Sequence, residues 1–393
     1  MFQKRFLLPS LIALVLSACG SQSNNSNTFS FDSDDKSFLY GLFQHEYLWS
    51  DRIDTEVDTS AFTDPNNMID ALRVYPPDRW SFALNQEQFD AMINQKTAGF
   101  GIGFTPALEI FFVRIGSPAY GKLYRGDKII LVNGESATSS SIVQASQNHN
   151  RATTFSVLRN GNMIDVSVTP KAYRYSVTES KIINHNHHKI GYLRYDGFDE
   201  NSVTEIEEDF SKFKAAGIDE LVVDLRYNGG GTLAATSAFL DNIISSHPNE
   251  RQLYLDWNDN NKDKNSEYFF EEASLQDGNE LNMRRIFFLV TADSASASEA
   301  AINALVPYLG RRNVVTIGAR THGKPVGMEG RVYKDYMYFL VNFYVRNNAG
   351  ETTSFDGIAP TCRATDDIGH RMGDTQEAML ATALYYIDHG RCP

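Results

Sequence analysis

Cysteine is scarce: Cys19, Cys362 and Cys392 are the only three in 393 residues. That number excludes a disulfide-built scaffold and a multi-cysteine metal centre. Long apolar runs are also missing; the stretch over residues 6–18 is thirteen residues long, too short to cross a bilayer as a helix. No block of Lys and Arg offsets a net charge of −13, which argues against a nucleic-acid partner and favours solubility. Neither G-x-G-x-x-G nor G-x-x-x-x-G-K-S occurs, so the glycine-rich stretches carry only a weak nucleotide reading. No internal repeat is visible. Asp256, Asn258, Asn260 and Glu267 fit four positions of a calcium loop, but Asn261 stands where its glycine belongs and strands flank it, so a solvated hairpin tip is expected. No metal or cofactor is implied.

What is present begins at the N-terminus. Lys4 and Arg5 precede the apolar run, and small residues close it, which is the pattern of a secretory signal peptide over residues 1–18. Leu16-Ser17-Ala18-Cys19 resembles a bacterial lipobox, which implies cleavage before Cys19 and lipid attachment to it. Gly20 rather than Asp follows, which by analogy points to an outer-membrane lipoprotein facing the periplasm. The polar, Ser/Asn-rich residues 19–36 are expected to form a disordered tether. With Cys19 lipidated, Cys362 and Cys392 remain in an oxidising compartment, where a bridge between them is favoured over two buried thiols.

Composition then divides the chain. Residues 37–97 read as a small helical module, with Phe38, Leu42, Tyr47 and Trp49 on one helix and a second helix over 86–96; its expected role is packing. Residues 98–173 show short strands between Gly, Asn and Ser turns, with a hairpin at Arg159-Asn160-Gly161-Asn162. From 174 to 393 apolar strands alternate with helices, the pattern of an α/β domain around a buried sheet.

Three stretches of this last region carry chemistry. "VVDLRYNGGGTL" ends a strand in three glycines, where backbone amides can approach a ligand closely. "SASASEA" follows the strand "RRIFFLVT" and opens a helix, a turn that exposes a side chain and free N–H groups at the sheet's carboxyl edge. The bland alternative is a Ser/Ala-rich helix start, with Ser298 and Glu299 as its cap. "ARTHGKPVGMEG" places Lys324 in a glycine-flanked loop. The histidines of "HNHH" at 185–188 fall in a turn, where solvated side chains are expected.

In this order D-L-R-x-N-G-G-G, S-A-S-A-S-E and T-x-G-K, with a PDZ-like segment upstream and "GIAPT" downstream, resemble the C-terminal processing (tail-specific) peptidases, the Ser–Lys enzymes of family S41. The resemblance spans roughly residues 38–390. It implies a crotonase-like α/β core over 174–393, a β-rich PDZ domain over 98–173, and metal-free endoproteolysis near protein C-termini. The motif positions make Ser296 the nucleophile and Lys324 its base, with Gly230 or Gly231 and Ala297 supplying an oxyanion hole; Ser298 caps the helix and Ser294 shapes the turn. "GFGIGF" resembles a PDZ carboxylate loop, which assigns Gly101, Ile102, Gly103 and Phe104 to a peptide's terminal carboxylate. The expected partners are protein or peptide substrates and the membrane, with an adaptor lipoprotein or a second copy of the chain compatible with the same reading. Two departures stand out: 28 residues separate Ser296 from Lys324, slightly more than usual, and Met328 occupies the position where many members carry a lysine-orienting Gln. A catalytically inactive binding lipoprotein on the same fold is the alternative that Met328 supports.

Overall fold

A computed structural model describes residues 29–93 and 97–393. The signal segment, the lipobox and Cys19 lie outside the described residues.

The N-terminal region forms α1 (Ser33–His45), α2 (Pro65–Leu72), β1 (Phe82–Asn85) and α3 (Gln86–Ile93). Asp32 starts α1: its carboxylate accepts from the Asp34 and Asp35 amides, and the Asp35 carboxylate accepts from the Asp32 amide. Phe31, just before this cap, is buried. The tether expected through residue 36 is therefore corrected, because residues 29–36 are folded onto the body. Asp64 and Pro65 start α2, a helix that the apolar periodicity alone did not suggest. Nor does this region form a core of its own. Leu39, Phe43, Met68, Ile69 and Leu84 share one cluster with Val326, Tyr338, Phe339 and Val341, more than 200 residues downstream.

The next region holds β2 (Thr97–Gly99), β3 (Ile102–Phe104), β4 (Ile110–Val113), β5 (Lys128–Val132), β6 (Glu135–Ser136), α4 (Ser139–Gln147), β7 (Thr153–Arg159), β8 (Asn162–Val168) and β9 (Lys171–Tyr173). β2 pairs with β9 and so brings the two ends of the region together. The β7–β8 hairpin turns through Asn160 and Gly161, both at positive φ. Phe100, Ile110, Leu123, Phe155 and Val157 give this region its own core.

The largest region comprises β10 (Thr178–His185), β11 (His188–Tyr195), α5 (Ser202–Ala216), β12 (Glu220–Asp224), α6 (Leu233–Ile243), β13 (Arg251–Trp257), β14 (Ser266–Phe269), β15 (Ile286–Val290), α7 (Ala297–Leu309), β16 (Val314–Gly318), β17 (Val326–Tyr333), β18 (Tyr336–Asn347), β19 (Cys362–Arg363) and α8 (Ala378–His389). Its main sheet runs β10-β11-β12-β15-β16-β19, parallel from β11 onward. β12, β15 and β16 are buried at every residue, as expected for parallel strands covered on both faces. Residues of α5, α6 and α7 join one of its two apolar clusters, and α8 joins the other. The disulfide Cys362–Cys392 ties β19 to the chain just beyond α8. A second sheet is organised on β18, which pairs with β1, β13 and β17. Helix α7 and the N-terminal helices contribute to the clusters that contain β18 residues. The hairpin tip near residue 260 is not simply solvated: Asn258 donates to the His45 and Tyr47 carbonyls at 3.1 and 2.8 Å, and Asn261 also reaches His45.

A buried ionic network locks the middle region to the largest one. Arg226, fully buried, pairs with Asp224, Asp366 and Glu377 at 2.7–3.0 Å. Arg125 from the middle region shares Asp366 and also donates to the Phe111 carbonyl and the Tyr227 hydroxyl.

Candidate active site

Three adjacent parallel strands deliver three loops to one edge. After β12 comes the glycine turn at 228–231, after β15 the serine turn at 294–296, and after β16 the loop containing Lys324. The carboxyl edge of a parallel sheet is where α/β folds gather their ligand-binding loops. Here an open cleft is lined by Gly231, Leu233, Ser296, Ala300, Lys324 and Met328, among others.

The three serines have separate jobs. Ser294 Oγ donates to the Leu225 carbonyl at 2.7 Å and accepts from the Thr291 amide at 3.0 Å. Ser298 Oγ donates to the Asn228 carbonyl at 2.9 Å. Both are buried; Ser294 ties the serine turn to the residue just after β12, and Ser298 ties the first turn of α7 to the glycine turn. Ser298 is not the helix cap that the sequence suggested; it sits inside the first turn of α7, and Ser296 occupies the N-cap position. Only Ser296 of the three lines the cleft. Its backbone is strained, at φ +55° and ψ −112°, a region that non-glycine residues occupy at a cost of roughly 1–3 kcal/mol when their surroundings force it.

Glycine is required beside it. A Cβ on Gly230 would lie 2.8 Å from the Ser296 Cβ and 3.0 Å from the Ala297 amide nitrogen. The Gly230 N–H is already taken, donating to Asn228 Oδ1 at 2.9 Å. Gly231 instead lines the cleft, and Ala297 is the first residue of α7, where a helix leaves its N–H without an intrahelical acceptor. Of the two glycines considered, Gly231 is therefore the one with an amide to offer.

Glu299 organises the other side, a part that sequence reading missed by taking it only as an acid at a helix start. It is fully buried. One carboxylate oxygen accepts from the Thr321 hydroxyl and the Gly323 N–H, the other from the Ser296 N–H at 3.1 Å and the Lys324 N–H at 2.8 Å. A single side chain thus fixes the serine turn against the lysine loop. Lys324 itself is 3% exposed. Burial pushes its amine down from the ordinary 10.5 to about 7, while Asp78 and then Glu299 pull in the opposite direction.

Family comparison agrees with this layout. The model of peptidase family S41 matches residues 189–364, and that of the S41 N-terminal domain matches 35–82, together more than half of the chain. The chain belongs to peptidase family S41. A carboxyl-terminal-processing protease of Picosynechococcus sp. is 27% identical over 224 residues, 55% of this chain and 50% of that protein, so the match spans half the length of this curated relative. Among solved structures, a putative S41 protease from Bacteroides fragilis superposes with a TM-score of 0.75 at 23% identity, covering 90% of this chain and 97% of that one. The photosystem II D1 C-terminal processing protease gives a TM-score of 0.51 at 15% identity, covering 85% and 94%. At these identities the likenesses establish a shared fold. The S41 chain is thus a mixed α/β protein with an N-terminal helical module.

Within this S41 chain the histidines stand apart from the cleft lining. His322 accepts from the Trp80 indole N–H at 3.2 Å and lies 3.3 Å from the Ala292 carbonyl, so both ring nitrogens have partners. His185 in the β10–β11 turn pairs with Asp388. Residues 101–104 lie in the middle region. There the Gly101 carbonyl accepts from the Arg114 amide, β3 pairs only with β4 among the described residues, and Ile102, Gly103 and Phe104 are half-buried. The N-terminal module also does more than pack, since its Arg79 and Trp80 bond to His322 in the lysine loop. The signal for this was the polar "DRWS", where Asp78 accepts from the Trp80 and Ser81 amides in a local turn.

Proposed function

We propose that the chain is a lipid-anchored serine endopeptidase that cleaves proteins or peptides near their C-termini with a Ser296–Lys324 dyad. The observation that carries the reading is a buried lysine lining the same cleft as a half-buried serine of strained backbone; burial pushes the lysine amine down toward neutral pH. At neutral to alkaline pH the Lys324 amine is unprotonated and takes the Ser296 hydroxyl proton as Oγ attacks the scissile carbonyl. Charge developing on that oxygen meets the Gly231 and Ala297 amides. The Lys324 ammonium then returns the proton to the leaving amine, and water repeats the sequence on the acyl-enzyme ester.

The largest region serves as the crotonase-like catalytic core, and residues 98–173 as a PDZ-type recognition domain. In that domain Gly101, Ile102, Gly103 and Phe104 hold a terminal carboxylate while the substrate pairs along the edge of β3 that faces away from β4. Lipidation of Cys19 places the enzyme at the outer membrane facing the periplasm, an oxidising setting compatible with the Cys362–Cys392 bond. Membrane fractionation checks the anchor: Cys19→Ala is expected in the soluble fraction, and its retention on membranes speaks against lipidation.

Cleavage of unstructured casein by Ser296→Ala and Lys324→Arg tests the dyad. Both are expected to be inactive, because guanidinium keeps its proton and cannot act as a base. Robust cleavage by folded Lys324→Arg overturns the assignment. If wild type itself binds peptides and cleaves none, the binding-lipoprotein reading replaces it.

A further inference from the structure

Met328 is 3% exposed and lines the cleft beside Val326 and Phe343. A thioether donates no hydrogen bond, so this side chain cannot orient an amine as an amide would. Glu299 is committed elsewhere: its two oxygens already accept four donors, one of them the Lys324 backbone amide.

The remaining anion is Asp78. It is fully buried, and its Oδ1 accepts from the Trp80 and Ser81 amides at 2.9 and 3.0 Å. Its Oδ2 accepts from the Ser81 hydroxyl at 2.6 Å, and the Tyr47 hydroxyl lies against the same carboxylate. Two clamps set this segment across the stretch that contains Lys324. On one side Arg79 donates to the His322 carbonyl at 2.8 Å, and the Trp80 indole donates to the His322 ring at 3.2 Å. On the other, Ser81 Oγ accepts from the Val341 amide at 3.0 Å, and Val341 is the β18 partner of Met328.

We propose that Asp78 is an electrostatic partner of Lys324: with its segment clamped across residues 322–328 from the N-terminal module, its carboxylate stabilises through space the ammonium formed when Ser296 gives up its proton. The inference rests on the Ser–Lys reading. The step moves one proton from Ser296 Oγ to Lys324 Nζ, and the new cation then forms within the field of an existing anion. The charged groups that bear on Lys324 are Asp78 and Glu299, with Asp78 the stronger. The Tyr47 phenol lies behind Asp78, its ionisation suppressed by burial and then by that carboxylate. The His322 imidazole is engaged with Trp80 and Ala292.

The test is kcat and KM for casein cleavage against pH, using the full chain carrying Asp78→Asn, with thermal melts to verify folding. Removing the anion favours the neutral amine, so the acid limb is expected to move down by about one pH unit, while plateau kcat falls at least about tenfold and KM changes little. The limb is decisive, because a merely structural role lowers the plateau without displacing it. A folded Asp78→Asn enzyme with an unmoved limb overturns the proposal. Should that variant fail to fold, Ser81→Ala is measured instead. It keeps the carboxylate but frees it, and is expected to lower kcat several-fold with a displaced limb; a natively melting Ser81→Ala enzyme with wild-type kcat and limb also overturns the proposal. Lys324→Arg, run in parallel, separates the two levels: activity there removes the Ser–Lys reading itself, whereas an inactive Lys324→Arg beside an unmoved Asp78→Asn limb removes only Asp78.

Discussion

Replacing Lys324 by Met should stabilise the protein while abolishing catalysis, and the gain should depend on pH. Burial lowers the lysine from 10.5 to about 7 in the folded chain. The full shift corresponds to roughly 5 kcal/mol of disfavoured charge at low pH, at about 1.36 kcal/mol per unit. Between these two values the unfolded chain holds a proton that the folded chain has released. Unfolding therefore takes up a proton, and the stability of wild type rises with pH through this window. Between about pH 7.5 and 9.0 the contribution of Lys324 amounts to about 2 kcal/mol. Methionine has no proton to exchange and suits a cleft wall already formed by Val326, Met328 and Phe343, so its variant should lack this slope. Urea unfolding of both proteins at the two pH values measures the difference directly. If wild type gains no more stability than Lys324→Met between them, the amine is charged in the folded protein at neutral pH. The base assigned to Ser296 would then be absent, whatever the cleft geometry.

Three further outcomes are expected. Ser294→Ala and Ser298→Ala each leave a buried carbonyl, of Leu225 or Asn228, without its hydroxyl donor, and should lose about 1–3 kcal/mol in chemical denaturation while retaining cleavage; complete loss of activity in well-folded protein would show that the two turns do more than hold Ser296. Reduction of the Cys362–Cys392 bond, which closes a separation of 30 residues, should cost roughly 2–4 kcal/mol, and an unchanged melting temperature in reductant would count against a stabilising role. Amidating the C-terminus of a peptide should weaken its binding if residues 101–104 hold a carboxylate; equal affinities in calorimetry would remove terminus recognition from this region.

The alternation of strand and helix from β11 to β16 was legible because parallel strands buried on both faces read as short apolar runs between glycine-rich turns. The second sheet was not. "YMYFLVNFYVRN" forms β18, buried almost throughout, and has no period of two to mark it as a strand. The N-terminal helices read as a separate module for a similar reason. Their apolar faces are visible in sequence, but the surface they cover belongs to β17 and β18, which no local pattern can indicate.

The same distinction runs through the site. Motif order pointed to Ser296, yet what sets it apart from Ser294 and Ser298 is that carbonyls about 70 residues upstream occupy the other two hydroxyls. Lys324 stood out in its glycine-flanked loop, but a lysine in a sequence has an ordinary amine. Its chemistry depends on exclusion from water and on which anions lie nearby, and those anions come from two distant elements, Asp78 before β1 and Glu299 in α7. The two carboxylates also act against the burial that makes the amine a base. An anion stabilises the ammonium and so raises the amine, whereas desolvation lowers it. A lysine settled near neutral pH is the balance of these terms, neither so high that it stays charged nor so low that it cannot hold the serine's proton through the attack. Substitutions that strengthen either side should therefore move the acid limb in opposite directions, down when an anion is removed and up when water is admitted beside Lys324.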